Sequence, residues 1–519
     1  MDNIIKQFLF FFLFPLPNLH SATMRSTLLQ RFTSLYLAFL LHHLTSTVAG
    51  DSQSRYTPVD NILLNCGSSG NSTALDGRTW TGDVNTKFHP LEQAQNQSSL
   101  TVTSVQQSSF ATQVPFATAR LSLSPFTYLF PVTAGQKFIR LYFYPASYPN
   151  FDRSKGLFSV KADRFTLLRN FNASLTADAD GDSADTIYRE YCVNVEEDQR
   201  LNITFTPSPI VSNSYAFING IEILSMPTDL YYTPADGQGA SFVGQTRPYP
   251  IQNSTALEMA YRLNVGGSSI SPREDTGMFR EWSQDTKYLK EYRQLLALPF
   301  NWTIALSFKK ISQYSAPEHV YRTARTMGRN KIINLSYNLT WEFPVDSGFN
   351  YLVRLHFCEF QPEITEVGDR VFLIFIANQT AEKKADVIQW GGGIGNGVPV
   401  YKDYVIPMFG KESVKKVNLF IALGAEQQNW ITSYKDAILN GVEIFKLSDV
   451  DANLAGPNPD PLPSAPPTVS SPRQSPKSKT NGTNNCCRCC RGGCRLCCYG
   501  DSRFLNSPAE QESQGIRLR

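Results

Sequence analysis

Apolar and polar residues alternate along most of this chain, in short runs broken by turn residues. The clearest pair is Ala216-Phe217-Ile218-Asn219-Gly220-Ile221-Glu222-Ile223 and Ala437-Ile438-Leu439-Asn440-Gly441-Val442-Glu443-Ile444. Each joins an apolar run to an Asn-Gly step and then alternates with period two, which predicts a strand with one buried face. The Asn-Gly step predicts a tight turn, because both residues tolerate positive φ. Residues 138–143, 188–195, 201–205, 351–357 and 370–376 read as further strands, and 67–71 and 133–136 as turns. Within 334–343, Leu335, Tyr337, Leu339, Trp341 and Phe343 would share an inward face. Asn334, Ser336, Asn338, Thr340 and Glu342 would share a wet one, as in an antiparallel sheet with one solvated side. No long stretch sustains a 3.6-residue period. Many short strands spaced by turns predict an all-β fold, a β-sandwich or jelly roll.

The octapeptide does not recur alone. Leu63-Leu64-Asn65-Cys66-Gly67 is echoed by Leu263-Asn264-Val265-Gly266, and Arg140-Leu141-Tyr142-Phe143 by Arg354-Leu355-His356-Phe357. Asp76-Gly77-Arg78-Thr79-Trp80 has a looser echo in 275–282. The order holds and the second copy carries insertions, so two homologous domains in tandem are expected. Their bounds are 56–227 and 257–447, with a connector at 228–256.

Composition adds little to this picture. The chain has 519 residues, a net charge of +3 and 42% hydrophobic residues. That length suits two or three domains, and so small a charge argues for neither nucleic acid nor an anionic membrane surface. Residues 1–50 read as an export signal: after Met24, Arg25 and Arg31 precede the apolar run 35–41, and Thr47-Val48-Ala49 offers a cleavage site. Neither this run nor the earlier apolar run 8–14 reaches the roughly 18–20 residues that span a bilayer. Ten Asn-X-Ser/Thr sequons agree with export: Asn71, Asn96, Asn172, Asn202, Asn253, Asn301, Asn334, Asn338, Asn378 and Asn481. Each is a candidate glycosylation site.

Candidate chemistry is sparse. The acidic run 178–185 misses the EF-hand pattern, with Ser183 where Gly is needed, and reads as a solvated loop. Residues 391–397 are glycine-rich but match neither a dinucleotide fingerprint nor a P-loop, and read as a flexible surface loop. Cys66 and Cys192 either pair or stay as buried thiols, and Cys358 has no evident mate. His89, His319 and His356 are the histidines beyond the export signal, and neither H-E-x-x-H nor G-x-S-x-G occurs. Glu222 and Glu443 occupy equivalent strand positions, which favours a repeated structural role over paired glycosidase carboxylates. The pattern points to a binder, with no catalytic, cofactor or metal residues. A sugar site would need exposed aromatic platforms, for which Trp80, Tyr144, Tyr148, Trp282, Trp390 and Trp430 are the candidates.

Residues 261–267, 275–277, 348–359 and 439–446, with 61–67, 76–80 and 453–456, closely resemble the extracellular region of plant malectin-like receptor kinases, the FERONIA, THESEUS and HERKULES group. The resemblance runs in order from about residue 56 to 456. It implies two tandem malectin-like β-sandwich domains, jelly-roll-like, at the plasma-membrane outer surface or in the cell wall. It also implies binding of secreted rapid alkalinisation factor peptides with a glypiated LORELEI-like co-receptor, or of pectin as a lectin-like alternative. The chain departs from that family after about residue 456. A Pro/Ser-rich linker at 448–485 leads to a Cys-rich tail at 486–519, read as disordered and as the product of altered splicing, a frameshift or a truncated gene. No V-A-I-K, H-R-D or D-F-G occurs. The expectations are therefore a kinase-less ectodomain without signalling output of its own, or a partial chain of a receptor Ser/Thr kinase.

Overall fold

In the computed structural model, residues 55–461 are described, apart from 93–99, 104–112, 180–184, 291–295, 299, 302, 412 and 429. The export signal, the Cys-rich tail, Asn96, Asn481 and most of the acidic run lie outside these residues.

Eight strands make the frame: β1 (Asn61–Asn65), β2 (Gly135–Phe143), β3 (Ile187–Val195), β4 (Gly220–Ser225), β5 (Leu257–Asn264), β6 (Phe349–Phe357), β7 (Val400–Met408) and β8 (Gly441–Leu447). They lie side by side in the order β7-β6-β8-β5-β3-β2-β4-β1 within one twelve-stranded sheet. The first half of that order repeats the second, with β7, β6, β8 and β5 standing where β3, β2, β4 and β1 stand in the first copy. The copies meet where β3 pairs antiparallel with β5, Tyr191 opposite Glu258 and Cys192 opposite Leu257. The repeated strand order thus makes two lobes on one continuous sheet.

Each lobe completes a sandwich with its own second layer. Over the first copy lies a five-stranded sheet containing Phe165–Asn172, Leu157–Ala162, Arg200–Pro207 and Phe126–Pro131. Over the second lies a four-stranded sheet of Leu339–Asp346, Lys416–Ala425, Phe372–Ile376 and Gln379–Ala385. Odd-numbered residues of β2 (Ile139, Leu141, Phe143) enter the first core, and Val353, Leu355 and Phe357 of β6 enter the second. Two separate cores are present, in keeping with the tandem all-β reading.

The opposite face of the long sheet corrects the expectation that β4 and β8 each have only one buried face. Phe138, Cys192, Leu224, Leu257, Leu352, Val405 and Phe445 pack there against Leu230, Tyr231, Tyr232 and Ile251 of the connector. The segment read as a plain linker is a cover, and β4 and β8 are buried at every residue.

The repeated Asn-Gly step is not a hairpin turn either. No positive φ occurs at Asn219, Gly220, Asn440 or Gly441. In each copy the chain leaves a small sheet through Ala216–Ile218 or Ile438–Leu439 and enters the long one, a corner where a strand changes sheets. The fully buried Asn219 accepts a hydrogen bond from the Tyr144 N–H (2.7 Å) and donates to the Thr118 carbonyl (2.8 Å). Asn440 accepts from the Cys358 N–H (2.8 Å) and donates to the Thr323 carbonyl (2.9 Å). Glycine follows because a Cβ would lie 2.6 Å from Pro115 in one copy and 2.6 Å from Val320 in the other.

A second matched corner involves Asp83 and Asp285. Asp83 takes hydrogen bonds from the Gly67 N–H, Arg120 and the Tyr128 hydroxyl; Asp285 takes them from the Gly266 N–H, Arg325 and the Trp341 indole. The cysteines do not pair. Cys66 lies in the first core and Cys192 on the opposite face of the sheet, so the sheet itself separates them, and all three described thiols are free and buried.

The strand predicted across 334–343 begins only at Leu339. Residues Lys331–Asn334 form a short helix whose N-cap, Asn330, accepts from the Ile332 and Ile333 N–H groups. Leu335, expected inside, is 42% exposed, and Asn334, expected outside, is 1% exposed. From Leu339 onward the alternation holds, with Leu339, Trp341, Phe343 and Val345 buried.

Candidate ligand-binding cleft

Oppositely charged residues alternate across the connector-covered face of the sheet. Glu222 on β4 accepts from Arg140 on β2 (2.7 Å) and from Arg78 (2.6 Å). Arg140 donates to Glu190 on β3 (2.7 Å), Arg262 on β5 to Glu190 (2.8 Å), and Arg262 also to Glu443 on β8 (2.8 Å). Glu443 further accepts from the Tyr231 hydroxyl (2.7 Å) and from His356 Nε2 (3.1 Å), and Arg354 on β6 pairs with Asp403 on β7 (2.7 Å). Cross-strand registry explains the ladder, since Arg140 lies opposite both Glu190 and Glu222, and Glu443 opposite both Arg262 and Arg354. Glu222 and Glu443 therefore do hold the same structural position in the two copies.

Their electrostatics follow from this pairing. Burial alone would raise Glu190, but Arg262 and Arg140 outweigh it and bring the carboxyl down to about 2. Glu443 is likewise held well below the usual carboxylate range, where burial is overcome by the His356 hydrogen bond and the Arg262 charge. Burial lowers His356, and Glu443 offsets only part of that. His356 is therefore neutral, with Nε2–H donating to Glu443 and Nδ1 accepting from the Tyr321 hydroxyl at 2.9 Å. Two carboxyls act oppositely: Glu359 and Asp436, both paired with Arg370, are raised by burial.

A pH dependence with a definite sign results. The unfolded imidazole gains its proton near pH 6.5 while folded His356 resists it, so stability present above that value declines as the pH falls through it. The depressed Glu190 and Glu443 contribute above about pH 4.3 and lose that contribution as the pH drops toward 2. We expect the urea midpoint to fall between pH 7 and 5, and His356→Gln to flatten that segment while leaving the steeper acid limb. An unchanged slope in the variant would exclude His356 as its source.

On the other face of the same sheet, the two second layers stop short of each other and leave a cleft of about 830 Å³ over the junction. Leu168 and Phe171 form one wall, Pro344, Val345 and Lys416 the other, and Glu258, Ala260 and Tyr261 of β5 the floor. The exit segment lines one side: Leu454 is buried in the first core, and Asn458 donates to the Asn170 carbonyl (2.7 Å) while its own carbonyl accepts from Lys415 (3.1 Å). Charges along the cleft are paired, Glu258 with Lys446 (2.5 Å), and Asp346 with both Lys446 (2.8 Å) and Lys416 (2.8 Å). Lys446 and Lys416 hold the Asp346 carboxyl below its ordinary value against the effect of burial. Tyr261, Tyr288 and Phe343 pack against one another edge-on or tilted, with centroids 5.0–5.1 Å apart. This polar, aromatic-sided trough suits recognition of an extended ligand by hydrogen bonds and packing. Among the described residues no group of three His, Cys, Asp or Glu is placed to hold a metal.

The structure sorts the other candidates. Trp80, Tyr144, Tyr148 and Trp282 are core residues, Trp390 is half-buried against Phe357, and Trp430 is 83% exposed. The glycine-rich segment is tied down, Gly397 donating to the Glu359 carbonyl (2.7 Å) and Asn396 to the Gln361 carbonyl (3.1 Å). Of the sequons, Asn71, Asn253, Asn338 and Asn378 are exposed. Asn172, Asn202 and Asn301 are half-buried, Asn172 with its side-chain Oδ1 accepting from the Leu175 N–H in the first turn of the helix Ala173–Ala179. The sequence reading missed the ladder and the cleft. Arg140 and Arg354 in matched strings, each on a strand neighbouring an acidic one, were the available signal for the ladder.

A family model for the malectin-like domain matches residues 64–447. The chain belongs to the malectin-like family. Among relatives, the receptor-like protein kinase FERONIA of Arabidopsis thaliana is 46% identical over 437 residues, covering 83% of this chain and 47% of that protein. ANXUR1 of the same plant is 36% identical over 408 residues, covering 78% and 45%. The malectin-like chain thus spans about half the length of the curated relatives it matches. A crystal structure of the plant receptor-like kinase FER aligns with a TM-score of 0.69 at 46% identity, covering 78% of this chain and all (100%) of that one. The ANXUR2 extracellular domain from Arabidopsis thaliana aligns at 0.70 and 35% identity with the same coverage, 78% and 100%. A further match, at 0.68, 45% identity and again 78% and 100% coverage, is FER in a crystal structure of the plant peptide RALF23 in complex with FER and LLG2. The described residues are therefore a malectin-like ectodomain of the FERONIA type, an extracellular fold. Among them no helix is long and apolar enough to cross a membrane.

Proposed function

We propose that this malectin-like region is a ligand-recognition module that binds a secreted peptide of the RALF23 type jointly with an LLG2-type co-receptor, and that it supplies recognition without phosphoryl transfer. The observation that carries this reading is the RALF23 complex of FER, whose crystallised chain is matched along its entire length (100%) at 45% identity. The cleft over the β3–β5 junction adds a surface of the right kind, formed by both lobes and bordered by the exit segment. A wall-polysaccharide reading has less support, because four of the six aromatic candidates for sugar platforms are in the cores.

Titration calorimetry of the purified chain with a RALF23-type peptide, with and without an LLG2-type ectodomain, tests the proposal. The expected result is a dissociation constant of about 1 μM or tighter with both partners, tightened at least tenfold over peptide alone. Hydrogen exchange on the complex should protect cleft peptides covering 287–290 and 416–418. Absence of binding under both conditions would overturn the proposal, and protection confined to other surfaces would move the contact out of the cleft.

A further inference from the structure

Two sequons stand four residues apart, at Asn334 and Asn338. The structure gives them opposite environments. Asn338 is exposed immediately before the strand Leu339–Asp346. Asn334 is 1% exposed, and its Nδ2 donates to the Gly328 carbonyl (2.6 Å) and to the Lys435 carbonyl (2.7 Å). Both partners are acceptors, so the amide orientation is fixed and both of its hydrogens are in use.

An N-linked glycan is attached through that nitrogen and leaves it one hydrogen. One buried carbonyl would then lose its donor, and a bulky polar group would have to occupy a site closed to solvent. The place is also mechanically important. Asn334 joins the 327–330 turn to the loop before Asp436, and Asp436 in turn accepts from the Met327 N–H (2.7 Å) and pairs with Arg370 (2.9 Å). We propose that Asn338 carries a glycan in the folded protein and that Asn334 does not, its carboxamide serving as a clamp between two loops of the second lobe. Sugar added at Asn334 would compete with folding, so chains carrying it are excluded from the secreted, folded pool.

The test uses full chain secreted from a plant cell line. Trypsin releases 332–354 with both sites, and enzymatic deglycosylation in heavy-oxygen water marks each formerly glycosylated Asn as labelled Asp. Label at Asn338 and none at Asn334 is expected. Ser336→Ala removes the Asn334 sequon without altering the Asn334 side chain and should leave glycan mass and melting temperature unchanged, with a yield no lower than that of the unaltered chain. Thr340→Ala should remove one glycan. Asn334→Gln should lower the melting temperature by about 5 °C or more, although its glycan mass stays the same. Label at Asn334 in folded protein, or loss of glycan mass in Ser336→Ala, would overturn the clamp, and unlabelled Asn338 would overturn the assigned site.

Discussion

Glu443→Ala is expected to destabilise the protein by about 3–5 kcal/mol, the usual cost of removing one member of a buried ion pair. The carboxylate is fully buried and takes three hydrogen bonds, from Arg262, Tyr231 and His356. Its loss leaves the Arg262 guanidinium with Glu190 as its one remaining carboxylate partner and strips His356 of the acceptor that fixes its tautomer. Arg262 connects the copies, so the effect should extend beyond the second lobe. Hydrogen exchange in the variant should show β3 and β5 losing protection together. Urea unfolding measures the cost, and a double-mutant cycle with Arg262→Ala should give a coupling of about 0.5–3 kcal/mol. A loss below about 1 kcal/mol would mean that water reaches the ladder and that the pairs behave as surface ones.

The architecture makes this coupling hard to avoid. Here the first strand of the second copy, β5, pairs directly with β3, the edge strand of the first copy's half of the sheet. The connector then covers the junction on one side and the exit segment borders the cleft on the other. A ligand contacting both walls of that cleft acts on two lobes that already share backbone hydrogen bonds. Displacement of the exit segment would alter contacts in both lobes, because Asn458 reaches Asn170 in one and Lys415 in the other.

Alternation along the strands was readable because the pleat places every second residue on one face, and the cores follow it from Ile139 to Val353. The fate of the other face was not readable. Nothing local to Glu443 or Arg354 states that Tyr231 and Leu230, in a stretch rich in Tyr and Pro, fold back onto them. Arg140 opposite Glu222 and Arg354 opposite Glu443 become informative only once registry is known. Asn334 was misplaced because period two was extended backward through Leu335–Tyr337 onto the end of the helix Lys331–Asn334. The cleft draws on Leu168, Glu258, Pro344 and Gly456, residues far apart in sequence, so no window of the chain contains it.

The corner asparagines carry the second large effect. Asn440→Ala should cost about 2–6 kcal/mol, because it leaves the Cys358 N–H and the Thr323 carbonyl buried without partners, at about 1–3 kcal/mol each. Asn219→Ala should cost at least as much, since Asn219 also donates to the Tyr148 hydroxyl at 3.1 Å. Propensity cannot account for either loss, because neither position has a positive φ that Asn would favour. Asn440→Asp separates the two halves of the bond set: it keeps the acceptor for Cys358 and removes the donor for Thr323, while adding a charge in a fully buried site. It should therefore be no milder than alanine, and it should worsen as the pH rises through the range in which the aspartate ionises. Thermal unfolding of the two alanine variants, read separately at β2 and β6 by hydrogen exchange, decides the matter. Equal loss of protection in both lobes from either substitution follows from one shared sheet. A loss confined to the substituted lobe would show that the β3–β5 seam opens before either sandwich does.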